Sequence, residues 1–170
     1  KAVEAGGFDR SVWNVLAELG LAGLYIPEAD GGMGMGPVEG MVVMEELGRG
    51  MVLEPLNQAL IAGGVLSGYA PDALKTEWLP RIAAGDALVV LASQERRARY
   101  RLDVCDAKAT QSSVGWSLTA TKNVVPVGDQ ADAFLVPATV NGAVALFLVA
   151  RGASGVSTRG YGTQDGGRPA

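Results

Sequence analysis

Apolar positions recur at helical spacing through the first half of the chain and predict four helices. The first ends at Gly20, a typical C-terminal stop, and the second begins near Pro37, a residue favoured in the first helical turn. The third covers residues 55–67, and the fourth follows Asp72, which is predicted as its N-cap. Pro80 is expected to kink or divide the fourth helix. The apolar residues of the first two helices are Phe8, Val12, Val15, Leu16 and Leu19, followed by Val38, Met41, Val42, Val43, Met44 and Leu47.

From residue 87 onward the pattern changes to short strands separated by turns. The predicted strands after the first are 107–111, 116–125, 133–137, 143–150 and 155–159. Asn141-Gly142, between two apolar runs, is a strong hairpin signal. Because no helical pattern lies between these strands, a mainly antiparallel sheet is expected. The sequence therefore predicts an α+β protein, with an N-terminal helical domain over 1–86 and a β domain over 87–170.

The junction of the two halves is a buried strand followed by a cluster of arginines. Residues 88–91 are apolar at every position, which favours burial on both faces. If the extended conformation continues, Arg97, Arg99 and Arg101 point to one side, because strand side chains alternate. Guanidinium groups suit phosphate and pyrophosphate. The alternative is a solvated basic turn.

Three features of the helical half suggest chemistry but favour structural roles. The glycine-rich stretch 30–36 lacks both the GxGxxG spacing and a following Lys-Ser or Lys-Thr pair, so a flexible turn is the better interpretation. The methionines of the second helix, Met41 and Met44, are interpreted as core filler. Glu45 and Glu46 point about 100° apart on a helix, which favours a solvated or ion-paired face over acid–base chemistry.

Composition excludes several functional classes. The chain has no histidine and one cysteine, Cys105, which excludes Ser-His and Cys-His nucleophiles and His-ligated or thiolate metal sites within it. The net charge of −4 argues against a general nucleic-acid binder. The absence of a long apolar stretch, of a signal-peptide core at the start and of any cysteine pair leads to an expectation of no membrane contact and a reducing, cytoplasmic compartment.

Four sequence blocks, in order, carry a resemblance to a known family. They are LGLAGLYIPEADGGMGMG, MEELGRG, LKTEWLPRIAAGDAL and TKNVVPVGDQADAFLV. Together they resemble the acyl-CoA dehydrogenase family over essentially the whole chain. The resemblance implies FAD as cofactor and α,β-dehydrogenation of an acyl-CoA thioester in lipid metabolism, such as fatty-acid β-oxidation. It also implies three domains, of which this chain resembles the N-terminal helical and middle β domains. The C-terminal helical bundle, which supplies the glutamate base of the family, would be absent, so no catalytic residue is assigned.

The resemblance also implies a set of cofactor positions in two segments. In the first, Leu91 and Ser93 precede Gln94, which stands where the family has Thr, while Glu95 matches and Arg96 replaces Pro. At the end of this segment the family has a Gly-Ser-Asp motif, which is replaced here by Arg99, Tyr100 and Arg101. The replacement resembles a divergent branch similar to pimeloyl-CoA dehydrogenase small subunits. In the second segment Lys122 matches the family lysine, and Val124, Val125 and Pro126 occupy the positions of Trp-Ile-Thr. The implied FAD contacts are Leu91, Ser93, Gln94, Arg99, Val124, Val125 and Pro126, and the implied substrate contacts are Tyr100 and Arg101.

The implied partners are an acyl-CoA substrate, an electron-transfer flavoprotein and further subunits. The subunits would form a homomeric dimer or tetramer, or include a second acyl-CoA dehydrogenase-like chain. Two alternatives remain open at this point. The chain could be a non-catalytic partner in a heteromeric dehydrogenase, or a non-redox module whose arginines bind an anionic partner.

Overall fold

The computed structural model describes residues 8–98, 101, 104–162 and 170, and within them four helices precede a five-stranded sheet. The helices are α1 (Arg10–Glu18), α2 (Pro37–Arg49), α3 (Leu56–Tyr69) and α4 (Asp72–Ala83), with short 3-10 turns at Leu21–Gly23 and Glu28–Asp30. The strands are β1 (Val89–Leu91), β2 (Lys108–Ser112), β3 (Gly115–Thr119), β4 (Ala133–Val140) and β5 (Ala143–Ala150). The predicted class, helices followed by a sheet, is confirmed.

The sheet is mixed and is built around β4. On one side, β5 pairs with β4 in antiparallel register from Ala133–Ala150 to Val140–Ala143. On the other side, β1 runs parallel to the start of β4, and β2 meets it in parallel at Thr139. The antiparallel ladders are the longer ones, as predicted. The parallel pairs arise because a long connection separates β1 from β4, which allows the crossover that parallel pairing needs.

One hydrophobic core joins the helices to the sheet. Leu88, Val89 and Val90 are fully buried, as the continuous apolar run predicted, and α3 packs against β1. The Leu91 backbone N–H donates to the side chain of Gln58 on α3 at 3.0 Å. Trp13 of α1 is fully buried and donates its indole N–H to the carbonyl of Gly85 at 2.9 Å. The helical layer is thereby fixed to the start of the sheet.

Local turn signals in the sequence are confirmed where glycine conformation matters. Gly20 adopts a left-handed conformation with φ 79° after α1, and Asn141 and Gly142 have φ 50° and 86° in the β4–β5 hairpin. The hairpin therefore has the positive dihedral angles that an Asn-Gly turn supplies. Pro37 begins α2 as predicted.

The helical half departs from expectation in three places. Pro71 is the N-cap of α4, so Asp72 is the first helical residue instead. Pro80 lies inside α4 without dividing it, and its carbonyl accepts the N–H of Ala84 at 3.0 Å. The interpretation of Met41 and Met44 as core filler is wrong for this chain, because both side chains are exposed. Val43 and Leu47 of α2 pack against the core, whereas the apolar side chains of Val38, Met41 and Val42 are exposed.

The β half is less regular than predicted. The third strand ends at Thr119 instead of continuing to 125, and residues 155–159 form no strand. The extended arginine row does not form at Arg97, where the alternative, a solvated basic turn, is found instead. A turn at residues 96–97 follows β1, the Ala98 N–H donates to the Glu95 carbonyl at 3.1 Å, and Arg97 is 81% exposed at 3.5 Å from Asp106. Within the described ranges, no helix is both long and apolar enough to cross a membrane.

Candidate functional site

Two irregular segments, 91–95 and 122–126, lie side by side at the end of β1. The first continues from β1, where Ala92 N–H still bonds to the Leu135 carbonyl at 2.9 Å. The second follows β3 after the strand has ended. The Asn123 N–H donates to the Gln94 carbonyl at 2.9 Å and joins the two segments. The sequence implied that these segments share a site, and the structure brings them into contact.

A buried ion pair crosses between the same segments. The Lys122 Nζ atom lies 2.6 Å from Glu95 Oε1, and the two side chains are 7% and 5% exposed. Glu95 also accepts the backbone N–H groups of Asp106 at 2.5 Å and Ala107 at 3.1 Å. One carboxylate therefore holds three separate stretches of chain.

The protonation of Glu95 follows from these contacts. Burial alone would raise the pKa of the Glu95 carboxyl, since it disfavours the charged form. The hydrogen bond from Lys122 and the backbone N–H groups of Asp106 and Ala107 outweigh that effect and hold the pKa below its ordinary value. The Glu95 carboxylate is ionised at neutral pH, and its lowered pKa and engaged oxygens make it a weak base, which suits an anchoring role.

The predicted cofactor residues form a partly exposed edge along the two segments. Leu91 and Ser93 are half-buried and Gln94 is exposed. Val124 is 45% exposed and has φ 54°, a left-handed conformation that is costly for a β-branched side chain. Pro126 is exposed as well. Backbone strain of this kind is typical of positions that the surrounding structure holds in place.

Val125 differs from its neighbours because it is buried. Its N–H donates to the Ala170 carbonyl at 2.8 Å, and the Ala170 N–H returns a bond at 2.9 Å. Val125 lines the large cleft described in the next paragraph, whereas the other predicted cofactor residues that the structure describes do not. Arg99 and Tyr100 lie outside the described residues. Arg101 is exposed, and its N–H donates to the Ala98 carbonyl at 3.1 Å.

An open cleft of about 1610 Å³ runs along the face of β3 and β5. Segment 153–159 and the α3–α4 junction at Pro71 and Leu74 border it. Trp116 and Phe147, with ring centroids 5.2 Å apart, form part of its apolar wall. Lys122 lines the cleft, so the buried ion pair lies at its wall.

The residues of the two segments fit a flavin in part. Ser93 and Gln94 offer polar groups at an exposed edge, and Val124 offers apolar surface opposite them. Pro126 can accept a hydrogen bond through its carbonyl but has no N–H or hydroxyl to donate. The described edge therefore supplies fewer donors than the family motif, and of its two segments Ala92, Lys122, Asn123 and Val125 line the cleft.

Sequence reasoning missed one feature of this region, the pairing of Glu95 with Lys122. Both residues were matched to family motifs, but each match concerned its own segment. The pair could have been predicted from the sequence, because two opposite charges, Glu95 and Lys122, lie in two motifs that are assigned to the same ligand. Glu54, the other buried carboxylate of the described residues, does not line the cleft.

Comparison with known proteins gives a consistent result. The family model "Acyl-CoA dehydrogenase, N-terminal domain" matches residues 1–86. Acyl-CoA dehydrogenase FadE27 of Mycobacterium tuberculosis is 32% identical over 157 residues, covering 92% of this chain and 41% of that protein. Mitochondrial isovaleryl-CoA dehydrogenase of Pongo abelii is 29% identical, covering 88% of this chain and 38% of that protein. The chain thus spans about two-fifths of the length of these relatives.

Solved structures agree with the sequence relatives. A variant of the Tcur3481-Tcur3483 steroid ACAD superposes with a TM-score of 0.88 at 29% identity, covering 98% of this chain and 47% of that one. The ChsE4-ChsE5 complex from Mycobacterium tuberculosis superposes with a TM-score of 0.85 at 31% identity, covering 95% of this chain and 43% of that one. The chain belongs to the acyl-CoA dehydrogenase family, of which it spans the N-terminal helical and middle β parts.

Proposed function

We propose that this chain is the flavin-binding half of an FAD-dependent acyl-CoA dehydrogenase. The observation that carries the proposal is the contact between the two implied flavin segments, with the Asn123 N–H on the Gln94 carbonyl at 2.9 Å. FAD, when bound, supplies the acceptor for the hydride removed from the β-carbon of the thioester. The glutamate base would come from outside this chain, and this chain alone is expected to be inactive.

The chain's own residues would bind and orient the cofactor. Ser93 and Gln94 present polar groups to one edge of the ring system, and Val124 presents apolar surface. At Pro126 the family donor is missing, a loss of about 0.5–1.5 kcal/mol of orienting hydrogen bond. Arg99 is proposed to contact a diphosphate, and Tyr100 and Arg101 the acyl-CoA, in the manner of the divergent pimeloyl-CoA dehydrogenase small-subunit-like branch.

An anaerobic absorbance titration of the complete protein tests the proposal. We expect bound flavin bands in the purified protein and their bleaching when an acyl-CoA thioester is added. An electron-transfer flavoprotein would then reoxidise the flavin. A complete protein that is colourless and takes up no FAD contradicts the proposal and favours the non-redox anion-binding alternative.

A second candidate function is a subunit of a heteromeric dehydrogenase that lacks its own complete flavin site. The departures at Gln94 and Pro126 favour it, as do the similarities to the ChsE4-ChsE5 complex and the Tcur3481-Tcur3483 steroid ACAD. Co-purification with a second acyl-CoA dehydrogenase-like chain supports this candidate, whereas a fully active homodimer or homotetramer contradicts it. Comparing steroid and straight-chain acyl-CoA thioesters in the titration tests the substrate class.

A further inference from the structure

The strongest unassigned feature of the described chain is the carboxylate of Glu95. It is buried, lies 2.6 Å from Lys122 Nζ, and accepts the N–H groups of Asp106 and Ala107. We propose that Glu95 and Lys122 are positioning residues whose ion pair sets the spacing of the two flavin-contacting segments. The identity of the ligand in this inference rests on the proposed function. The contact between the two segments does not depend on it.

Regular secondary structure does not align the two segments. Residues 92–98 and 120–126 lie outside all strands. The backbone bond that directly joins the two segments runs from Asn123 to Gln94. A single hydrogen bond at the surface exchanges readily with water, so it cannot by itself fix a spacing. The side-chain pair next to it supplies the remaining constraint.

Burial makes the ion pair a rigid spacer. A buried ion pair that also has backbone hydrogen bonds holds its geometry, because separating the charges would leave both without solvation. Glu95 and Lys122 are adjacent in sequence to Gln94 and Asn123, so a fixed Glu95–Lys122 distance fixes that bond too. The exposed pair of Arg49 with Glu45, at 2.6 Å, has no such consequence, since both of its side chains are solvated.

The ion pair also lies next to the surface that would meet the ligand. Lys122 and Ala92 both line the cleft, and the neighbouring Gln94 and Val124 form the exposed edge. The pair therefore lies directly behind the edge without occupying it. Glu95 does not line the cleft, so a change at Glu95 alters the pair without removing a group that lines it, which is the pattern of a residue that acts through others. Lys122 itself lines the cleft, so its replacement removes the pair together with that group.

The experiment uses the complete protein and three variants, Glu95→Gln, Lys122→Met and the control Glu45→Gln. Glutamine keeps the shape of Glu95 but directs an amide N–H₂ at either Lys122 or the Asp106 N–H. Two readouts are taken well below the unfolding temperature of every variant. They are hydrogen exchange of the Asn123 and Ala107 amides and the dissociation constant for FAD. Exchange in the α3 core serves as the internal reference.

We expect Glu95→Gln and Lys122→Met each to speed Asn123 exchange and weaken FAD binding about tenfold. Exchange in α3 should speed only as far as the loss of global stability measured by urea unfolding requires, and every property of Glu45→Gln should stay unchanged. Lys122→Met keeps both acceptor oxygens of Glu95. It provides a second test of the inference if Glu95→Gln fails to fold. Lowered thermal stability with unaltered Asn123 exchange and unaltered FAD affinity overturns the inference, because the pair would then be structural only.

The exchange readout separates this inference from the proposed function. If the complete wild-type protein binds no FAD, the proposed function fails. Faster Asn123 exchange in Glu95→Gln would still establish that the pair aligns the segments. If FAD binds but neither variant changes its affinity, the proposed function stands and the positioning role is rejected.

Discussion

At the scale of single residues, Glu95 illustrates how one buried charge makes stability depend on pH. Its pKa in the folded state is held below the ordinary value of 4.5, while in the unfolded chain it returns to that value. The ionised form therefore stabilises the fold fully above the unfolded pKa. That contribution is lost as the pH falls through the lower, folded pKa.

We predict that Glu95→Gln lowers the free energy of unfolding at pH 7 by about 3 kcal/mol, because Lys122 remains buried without its counterion. The difference from wild type should begin to shrink below about pH 4.5, where the carboxyl of the unfolded wild-type chain takes up a proton, and should be lost as the pH falls through the lower pKa of the folded state. Urea unfolding at a series of pH values measures both effects. The surface variant Glu45→Gln is the control, and a difference that stays constant down to pH 3 would contradict the assigned cause.

A second residue-scale prediction concerns the missing donor at Pro126. Pro126→Thr supplies a hydroxyl and a backbone N–H at an exposed turn position, where the family has threonine. One added oriented hydrogen bond of about 0.5–1.5 kcal/mol corresponds to FAD binding about two- to tenfold tighter in the complete protein.

Pro126→Ala is the matched control, because it restores the N–H without the hydroxyl. Fluorescence titration with FAD compares the three proteins. Equal affinities for all three would show that Pro126 does not face the ligand.

Predictions from the sequence succeeded where a structural feature is determined by neighbouring residues alone. Asn141 and Gly142 specify their turn through their own backbone preferences, so the hairpin and the bounds of β5 followed. The partnership of Glu95 and Lys122 could not be predicted in the same way, since the two lie 27 positions apart in sequence. Tertiary packing alone brings such residues together.

At the scale of elements, α2 is held to the rest of the molecule through a small contact. Gly40 is its buried residue among the described positions, and a Cβ built there would lie 1.9 Å from the Tyr25 hydroxyl oxygen. Gly48 lies on the same helix, and a Cβ added to it would meet nothing within 4 Å. The two glycines thus separate helix propensity from packing.

We predict opposite signs for alanine at these two positions. Gly48→Ala should raise the free energy of unfolding by about 0.5–1 kcal/mol, since alanine has the higher helix propensity. Gly40→Ala should lower it by about 1–3 kcal/mol, because the Tyr25 ring must move and the helix must shift. Thermal denaturation followed by circular dichroism measures both. A stabilised Gly40→Ala would mean that α2 is not docked against Tyr25.

Element positions were predictable, but their partners were only partly so. Four helices and the β2–β3 and β4–β5 hairpins follow from periodicity and turn residues. The parallel contact of β1 with Ala133 at the start of β4 depends on a crossover that no local pattern encodes. The chain turns at residues 96–97, where the Ala98 N–H bonds to the Glu95 carbonyl, so the extended conformation expected for Arg97 ends there.

At the scale of the whole molecule, apolar surface is distributed unevenly. Val38 and Met41 on α2 are 66% and 65% exposed, and Val15 and Leu19 of α1 are exposed as well. Such faces are expected where the family has a further helical domain. Exposed apolar side chains that form a contiguous patch mark an interaction site or an association liability.

We predict that the 170-residue chain by itself self-associates with rising concentration, and that Val38→Glu combined with Met41→Glu suppresses this. Two carboxylates on the apolar face of α2 would be desolvated in any contact that buries it, while the helix itself tolerates glutamate.

The control, Tyr69→Glu combined with Val114→Glu, adds the same charge at the well-exposed end of α3 and in the β2–β3 turn. Light scattering coupled to size-exclusion chromatography should show association for the wild type and the control but a monomer for the α2 variant. Equal suppression by both double variants would assign the effect to net charge, and a monomeric wild type would show that this face does not drive contacts between copies of the chain.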